Sequence, residues 1–335
     1  MTTTGAERLD GGAARAFLGA GWEALWAGSP AATTFQSAGW YRAWLAAVAP
    51  HEGAEPLVLR VPHAAVALQR CAGADGAPQL APLSWPWADY HDAVAAGPAD
   101  EAAAALGPAL EALVQETGLP LLLDDVVPGG VLDRATRGDA FHRAPASPTG
   151  AIDLGDAAHV RAILSRPEHL LKRRRLERRG AVDCRHHTGR DEILHRMPDF
   201  IALHTRQWEG RADAVAPFGD GVVDGAFTAM VEELAPAGGV VLSELLLDGR
   251  PVAMYFGFRH RDWFGGYRTC YDPELFRLSP GHLLLHQMIA DFAARGVRTL
   301  DLMRGSYAYK REYVPSFRHN LRISLAVPGA SRQAA

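Results

Sequence analysis

The sequence predicts an α/β protein with mixed sheets, built as two units that repeat one order of elements. Three observations carry that expectation. The second half reads strand, strand, strand, helix, strand. The first half repeats that order more loosely. Between them lies "HRAPASPTGA" (His142–Ala151), rich in Pro, Ser and Gly and read as the joint. The units are therefore expected over 1–150 and 151–328.

Helical material, "FQSAGWYRAWLAAVA", opens the first unit. "EPLVLRV" and "AAVALQRC" follow as a hairpin around Pro62–His63, and "PQLAPLSW" supplies the third strand. An alanine-rich helix is expected over 99–117, kinked or split at Gly107–Pro108. "LPLLLDDV" (Leu119–Val126) closes the unit as a buried strand. In the second unit, helices near 191–208 and 222–235 precede "GVVLSELLL" (Gly239–Leu247). The turn "DGR" leads to "PVAMYFGFRH" (Pro251–His260), its hairpin partner. "DWFGGYRTCYD" (Asp262–Asp272) is the third strand, where Gly265 and Gly266 mark a bulge or a close backbone approach. A helix over about 280–295 lines up Leu284, Leu285, Met288, Ile289, Phe292 and Ala293, and Gly296 ends it. "VRTLDLM" (Val297–Met303) is a short buried strand.

Composition narrows the function classes. A chain of 335 residues, 48% hydrophobic and 21% charged, holds a sizeable core in one large domain or two average ones. With net charge −4 and pI near 6.4 the molecule has no global reason to seek DNA or RNA, so any such role needs a local patch. Cys71, Cys184 and Cys270 are far apart, which fits a reducing compartment and gives no disulfide framework or zinc motif. "MTTTGAERLDGGAARAF" lacks the pattern of an export signal, and no apolar run approaches the roughly 20 residues of a membrane span. A soluble cytoplasmic protein is expected.

Four stretches carry candidate chemistry. "LFRLSPGHLLLHQMIADF" starts its helix with Ser279 as N-cap, Pro280 at the first position and Gly281 admitting a close ligand. Such an entrance is either plain capping or a seat for a phosphate, because first-turn amides are unpaired and partly positive. The first turn lacks Asp and Glu and is flanked by Arg277 and His282. The matching helix of the first unit begins "GPADEAAA", whose carboxylates repel an anion. "SWPWADYHDAV" gathers Trp85, Trp87, Asp89, Tyr90, His91 and Asp92, which is either a pocket wall with a proton-moving His beside a carboxylate or a structured surface loop. In "LDLMRGSYAYKREYVPSF", Asp301 lies within a buried strand, and Tyr307, Tyr309, Lys310 and Tyr313 follow the strand end, where α/β sheets bind ligands. "HLLKRRRLERR" (His169–Arg179) sets six Lys and Arg against Glu177, as a solvated helix face or an attractor of phosphate-bearing substrate or RNA. His186–His187 near Cys184, and the pair His282 and His286, lack further ligands at suitable spacing, so no metal is expected.

"SPGHLLLHQMIADFAARGVRTLDLMRGSYAYK" resembles the signature of GNAT-superfamily acyltransferases of the BioF2-like/CelD type, relatives of the FemAB aminoacyl transferases. "ELLLDGRPVAMYFGFRH", "YRTCYDPE", "FIALHTRQW", "TTFQSAGWYRAWL" and the basic "LLKRRRLERRGAV" extend the likeness over most of 33–325. The resemblance implies two tandem GNAT-like units, the first degenerate and on the substrate side, the second binding the cofactor. It implies transfer of an acyl group from acyl-CoA, acetyl or longer, to an amine of a small molecule, sugar or peptide. The FemAB branch implies aminoacyl-tRNA as donor instead, and a non-catalytic binding module is the third class. By this likeness Arg277, Leu278, Ser279, Pro280, Gly281, His282 and Leu283 hold the cofactor pyrophosphate, and Lys310 stands where the FemAB relatives carry a lysine. "RLSPGH" keeps one glycine, fewer than the Gln/Arg-x-x-Gly-x-Gly/Ala loop of ordinary GNAT enzymes. An amine acceptor must lose a proton, since its pKa is about 8–10. His91 with Asp92 is the expected base, a backbone N–H near Gly265–Gly266 the oxyanion donor, and Tyr309 or Lys310 the group meeting the leaving thiolate. Trp87, Asp89, Tyr90, Arg268, Tyr271, Asp301 and Arg304 are the expected substrate contacts.

Overall fold

Apolar runs punctuated by Gly, Asp and Pro turns fold this chain into two units, Met1–Pro148 with Arg318–Ala335, and Thr149–Phe317. The computed structural model describes residues 5–209 and 218–329. Residues 1–4 of the amino-terminal stretch and 210–217 of the second unit fall outside that range.

The first unit runs β1 (Glu7–Asp10), α1 (Gly11–Ala20), α2 (Trp22–Gly28), α3 (Ala38–Ala47), α4 (Ala49–Glu52), β2 (Glu55–Val61), β3 (Ala64–Ala72), β4 (Pro78–Pro82), β5 (Val94–Ala95), α5 (Ala99–Thr117), β6 (Leu121–Val126) and α6 (Val131–Ala135). β7 (His142–Asp153) carries the chain across the boundary. The second unit continues with α7 (Ala157–Leu164), α8 (Pro167–Glu177), β8 (Val182–His187), α9 (Arg190–Trp208), α10 (Val222–Leu234), β9 (Val240–Leu247), β10 (Arg250–His260), β11 (Trp263–Tyr271), α11 (Pro280–Ala294) and β12 (Thr299–Arg304). The last strand, β13 (Arg318–Leu325), belongs to the first unit.

The repeat expected from the sequence is visible in the strand orders. The first unit orders its strands β1-β2-β3-β4-β6-β13, and the second β8-β9-β10-β11-β12-β7. In both, a run of antiparallel strands ends in one parallel pair, β4 with β6 and β11 with β12, joined through the long helix α5 or α11. A parallel pair needs such a crossover. Asp248 and Gly249, at φ 50° and 79°, make the tight turn that joins β9 to β10. β9 and β10 read as continuous apolar runs because α11 packs on both strands and α9 on β10.

The unit boundary at Pro148–Thr149 lies within "HRAPASPTGA", which is extended chain and most of β7, since proline's fixed φ suits a strand as well as a turn. Two expectations need correction. Residues 318–325 were placed with the second unit, yet β13 pairs with β6 and completes the first unit's sheet. The helix over Ala99–Thr117 is neither split nor ended at Pro108. Its Gly107 is there for packing, because a Cβ would lie 2.4 Å from the Ala135 carbonyl oxygen. No helix among the described residues is long and apolar enough to cross a membrane.

Candidate active site

The second unit's site starts where its parallel strands part. The ladder joins Trp263–Gly265 to Thr299–Asp301, whereas β11 runs on to Tyr271 and β12 to Arg304. β12 bends because it carries one residue more than β7 between Asp301, opposite Ala151, and Arg304, opposite Thr149. Within that bulge Met303 takes φ 64°, which costs a residue with a Cβ about 1–2 kcal/mol. Two buried charges hold it there. Asp301 accepts from the Met303 amide at 2.8 Å and from Trp263 Nε1 at 3.3 Å. Lys310, 3% exposed, donates from Nζ to the carbonyls of Met303 (3.0 Å) and Arg304 (2.6 Å). Lys310 therefore fixes the strand end.

Across the gap the glycine pair marks a close approach. A Cβ on Gly266 would lie 2.4 Å from the Tyr255 ring and 2.6 Å from its hydroxyl. Tyr255 is hydrogen-bonded to Tyr309, and burial pushes both phenols up, Tyr309 to about 12 and Tyr255 well above its ordinary range. A phenol held at about 12 gives an anion a hydrogen bond and keeps its proton. Arg268 and Tyr271 lie farther along β11, and a Cβ on Gly281 would touch the Tyr271 ring at 3.6 Å. Arg268, Tyr271, Asp301, Arg304, Tyr309 and Lys310 are thus all carried by β11, by the bulge of β12, or by the 308–312 turn that follows it.

Beside this gap α11 begins. Ser279 was expected to cap it, but Ser279 sits at φ 49°, ψ 54° and its side chain caps no amide. Its Oγ instead accepts from Lys172 Nζ of α8 at 2.9 Å. The left-handed backbone turns the hydroxyl away from the helix, so the entrance is not plugged. Pro280 has no N–H and the Leu283 amide bonds the Ser279 carbonyl, which leaves the amides of Gly281 and His282 to a ligand or solvent. No acidic residue occupies this turn. Arg173 donates to Gln287 Oε1 at 2.8 Å, so α8 lies along α11 and is not simply a solvated face. Arg277 is exposed, Leu278 and Leu283 are buried, and His282 Nδ1 is 2.8 Å from Tyr313 Oη. Burial, with help from Lys172 and Arg166, pulls the His282 imidazole down to about 4.

The stretch expected as a first-unit pocket wall does something else. Asp89, Tyr90, His91 and Asp92 are all buried. Gln36 donates to the Tyr90 carbonyl, Asn320 to that of Asp89, and Trp87 Nε1 reaches Glu52 at 2.8 Å. The His91 amide donates to the Asp125 carbonyl at 2.9 Å, and the Val127 amide to the His91 carbonyl at 3.1 Å. His91 thereby forms a parallel bridge to Val126, alongside the end of β6. Asp92 accepts from the Val131, Leu132 and Ala93 amides, so its carboxylate caps α6 and is not aimed at His91 as a relay partner. Burial, outweighing those amides, raises it to about 6.

Two residues that the structure places at the helix entrance and beside the glycine pair go unmarked in the sequence. Lys172 was hidden in a charge run, where nothing singles out one basic residue. Tyr255 was hidden in a strand, although it is the one hydroxyl in "PVAMYFGF".

Residues 168–311 match the family model of the acetyltransferase (GNAT) domain. No curated protein sequence matches the chain. Among solved structures it is similar to FemX, with a TM-score of 0.58 and 10% identity over 95% of this chain and 96% of that one. A tandem GNAT protein from the clavulanic acid biosynthesis pathway gives 0.50 and 15% over 96% and 99%. L-PGS from Bacillus licheniformis gives 0.52 and 11% over 79% and 81%. At these identities the likeness is one of fold.

Proposed function

Because the chain is a GNAT-type acyltransferase with a FemAB-related tandem fold, we propose that it moves an acyl group from acyl-CoA to an amine. The acceptor belongs to a small molecule, a sugar or a peptide. One observation supports this reading above the others: an unplugged helix entrance with no carboxylate and a lysine at its lip. The Gly281 and His282 amides and Lys172 meet the CoA diphosphate, where the helix dipole favours negative charge. The extended arm of the donor runs into the gap between β11 and β12. There the main chain of Gly265–Gly266, bare of Cβ atoms, approaches the thioester carbonyl and donates to the developing oxyanion. Tyr309, with Tyr255 behind it, gives the departing thiolate a hydrogen bond as the C–S bond breaks, and the proton that the amine sheds passes through solvent to that thiolate, so that CoA leaves as the thiol. Asp301 and Lys310 are positioning residues that hold the bulge, while Arg268, Tyr271 and Arg304 contact the acceptor.

A second reading has its own observation. Arg174, Arg175, Arg178 and Arg179 are exposed on and just past the helix that carries Lys172, which favours a polyanionic donor such as aminoacyl-tRNA. Thermal shift separates the two. The acyl-CoA reading expects CoA, acetyl-CoA and longer acyl-CoAs to raise Tm by several degrees. No rise with any CoA species, together with a salt-sensitive rise with charged tRNA, would select the second.

A further inference from the structure

Next to the phosphate seat lies a group of side chains that acyl transfer leaves without a task. His169 comes from α8, His282 and His286 from α11, and Glu312 from the 308–312 turn. The His169 ring lies 4.0 Å from that of His286 and 5.4 Å from that of His282, centroid to centroid. Glu312 Oε2 is 3.6 Å from His282 Nδ1 and 3.8 Å from His169 Nε2. One ligand atom from each of His169, His282 and Glu312 falls within 4.8 Å of the others.

The group is unfinished as a purely protein arrangement. His169 is 2% exposed, and neither of its ring nitrogens has a hydrogen-bond partner. Nε2 of His286 has none either. Buried polar atoms nearly always find partners, so such rings call for an explanation. Burial also keeps all three imidazoles below their ordinary range, hence neutral at pH 7 with a lone pair to give.

We propose that His169, His282 and Glu312 bind one divalent transition-metal ion of the zinc class, clipping α8 and the 308–312 turn to the first turn of α11. Two imidazoles and a carboxylate form a zinc donor set, with a fourth position for water. Nitrogen ligands disfavour magnesium and calcium. Ligands about 2.0–2.1 Å from a tetrahedral ion stand roughly 3.4 Å apart. The two carboxylate–imidazole spacings, 3.6 and 3.8 Å, close with shifts of a few tenths of an ångström, and the imidazole–imidazole edge, within 4.8 Å, closes by rotation of the half-buried His282 side chain. His282 exchanges its contact with Tyr313 for the ion. Glu312 is half exposed and opens the path of entry. Arg166 and Lys172 oppose a cation here, while Glu168 and Glu312 favour it. The Glu312 carboxylate is therefore the decisive ligand. The clip would hold α8 in place and with it the Lys172 ammonium at Ser279.

Tag-free full-length protein, stripped with chelator and dialysed, is titrated with Co2+ and then Zn2+ in the absence of any CoA species. One Co2+ per chain with visible absorption bands, displaced by Zn2+, and a higher Tm on loading are expected. Glu312→Gln, at a half-exposed position, should weaken binding at least tenfold, His169→Phe should abolish it, and Cys184→Ser should leave it unchanged. Absence of stoichiometric binding overturns the proposal. So does binding that survives Glu312→Gln but is lost in Cys184→Ser, which would place the ion at Cys184, His186 and Asp291. Far-UV circular dichroism confirms that each variant is folded. Since no CoA is present, the outcome is independent of the acyl-CoA reading.

Discussion

The helices α5 and α11 hold the same place in their units, each linking the two parallel strands, and they differ at their entrances. α5 carries Asp100 and Glu101 in its first turn, with Asp100 paired to Arg134 at 2.7 Å. Its dipole is already compensated by carboxylates, which would repel a phosphate. α11 has no acid in its first turn, an uncapping Ser279, and Lys172 beside it. The strand gaps differ in the same sense. Both units bulge the strand after the helix at a residue with positive φ, Asp125 at 52° and Met303 at 64°. In the first unit the Asp125 carbonyl is taken by the His91 amide, so the chain's own backbone lies along the strand end. In the second the equivalent Met303 carbonyl is taken by the Lys310 side chain. The two units thus share one frame of strands and helix, while in the first the chain's own backbone pairs along the end of β6.

The comparison breaks most visibly at Lys310. Lys310→Met leaves the Met303 and Arg304 carbonyls buried without this donor, and should cost about 3 kcal/mol in urea unfolding. Turnover should fall through kcat more than KM, because the bulge that shapes the gap relaxes. His91→Ala keeps the main-chain bridge and should leave KM and the pH profile unchanged.

Acid is the next lever, and it acts on the second unit. Burial holds His282 at about 4 and His286 at about 3, well below the ordinary 6.5. Between those values and 6.5 the unfolded chain binds protons that the native state refuses, so stability is full above 6.5 and declines as pH falls. Urea titrations in chelator should show about 4 kcal/mol less stability at pH 5 than at pH 7, roughly half from each imidazole. His286→Phe should flatten that slope.

Lys172→Ala sharpens the contrast at the α11 lip. CoA should bind about tenfold more weakly by calorimetry, a loss near 1.4 kcal/mol, and the loss should shrink at high salt. The smallest effect belongs to the other helix: Asp100→Asn with Glu101→Gln should leave CoA affinity unchanged within error.

The fold was readable because periodicity, turns and the duplicated element order are local signals. The 248–249 turn, β9 to β12 and α11 all stand close to where the sequence puts them. What escaped depends on long-range pairing. That the stretch between the units is a paired strand could not be read, because proline marks only the absence of helix, and β13 gave no local hint that its partner is β6, some 200 residues earlier. At the site, the bare first turn of α11 was visible in the absence of acids around "SPGH". The αL backbone of Ser279, the reach of Lys172 and the main-chain bridge of His91 were not, since each is decided by a distant neighbour. His169 and Glu312 likewise come from segments 143 residues apart, and no spacing rule joins them to His282.

The central claim concerns two particular amides, and amide-resolved NMR tests it most directly. On adding CoA to isotopically labelled protein, the Gly281 and His282 N–H resonances should move, saturably and to low field as hydrogen bonds to phosphate form. Those of Asp100 to Ala102 at the start of α5 should stay where they are. Shifts in α5, or saturable binding that leaves Gly281 and His282 unmoved, would contradict it.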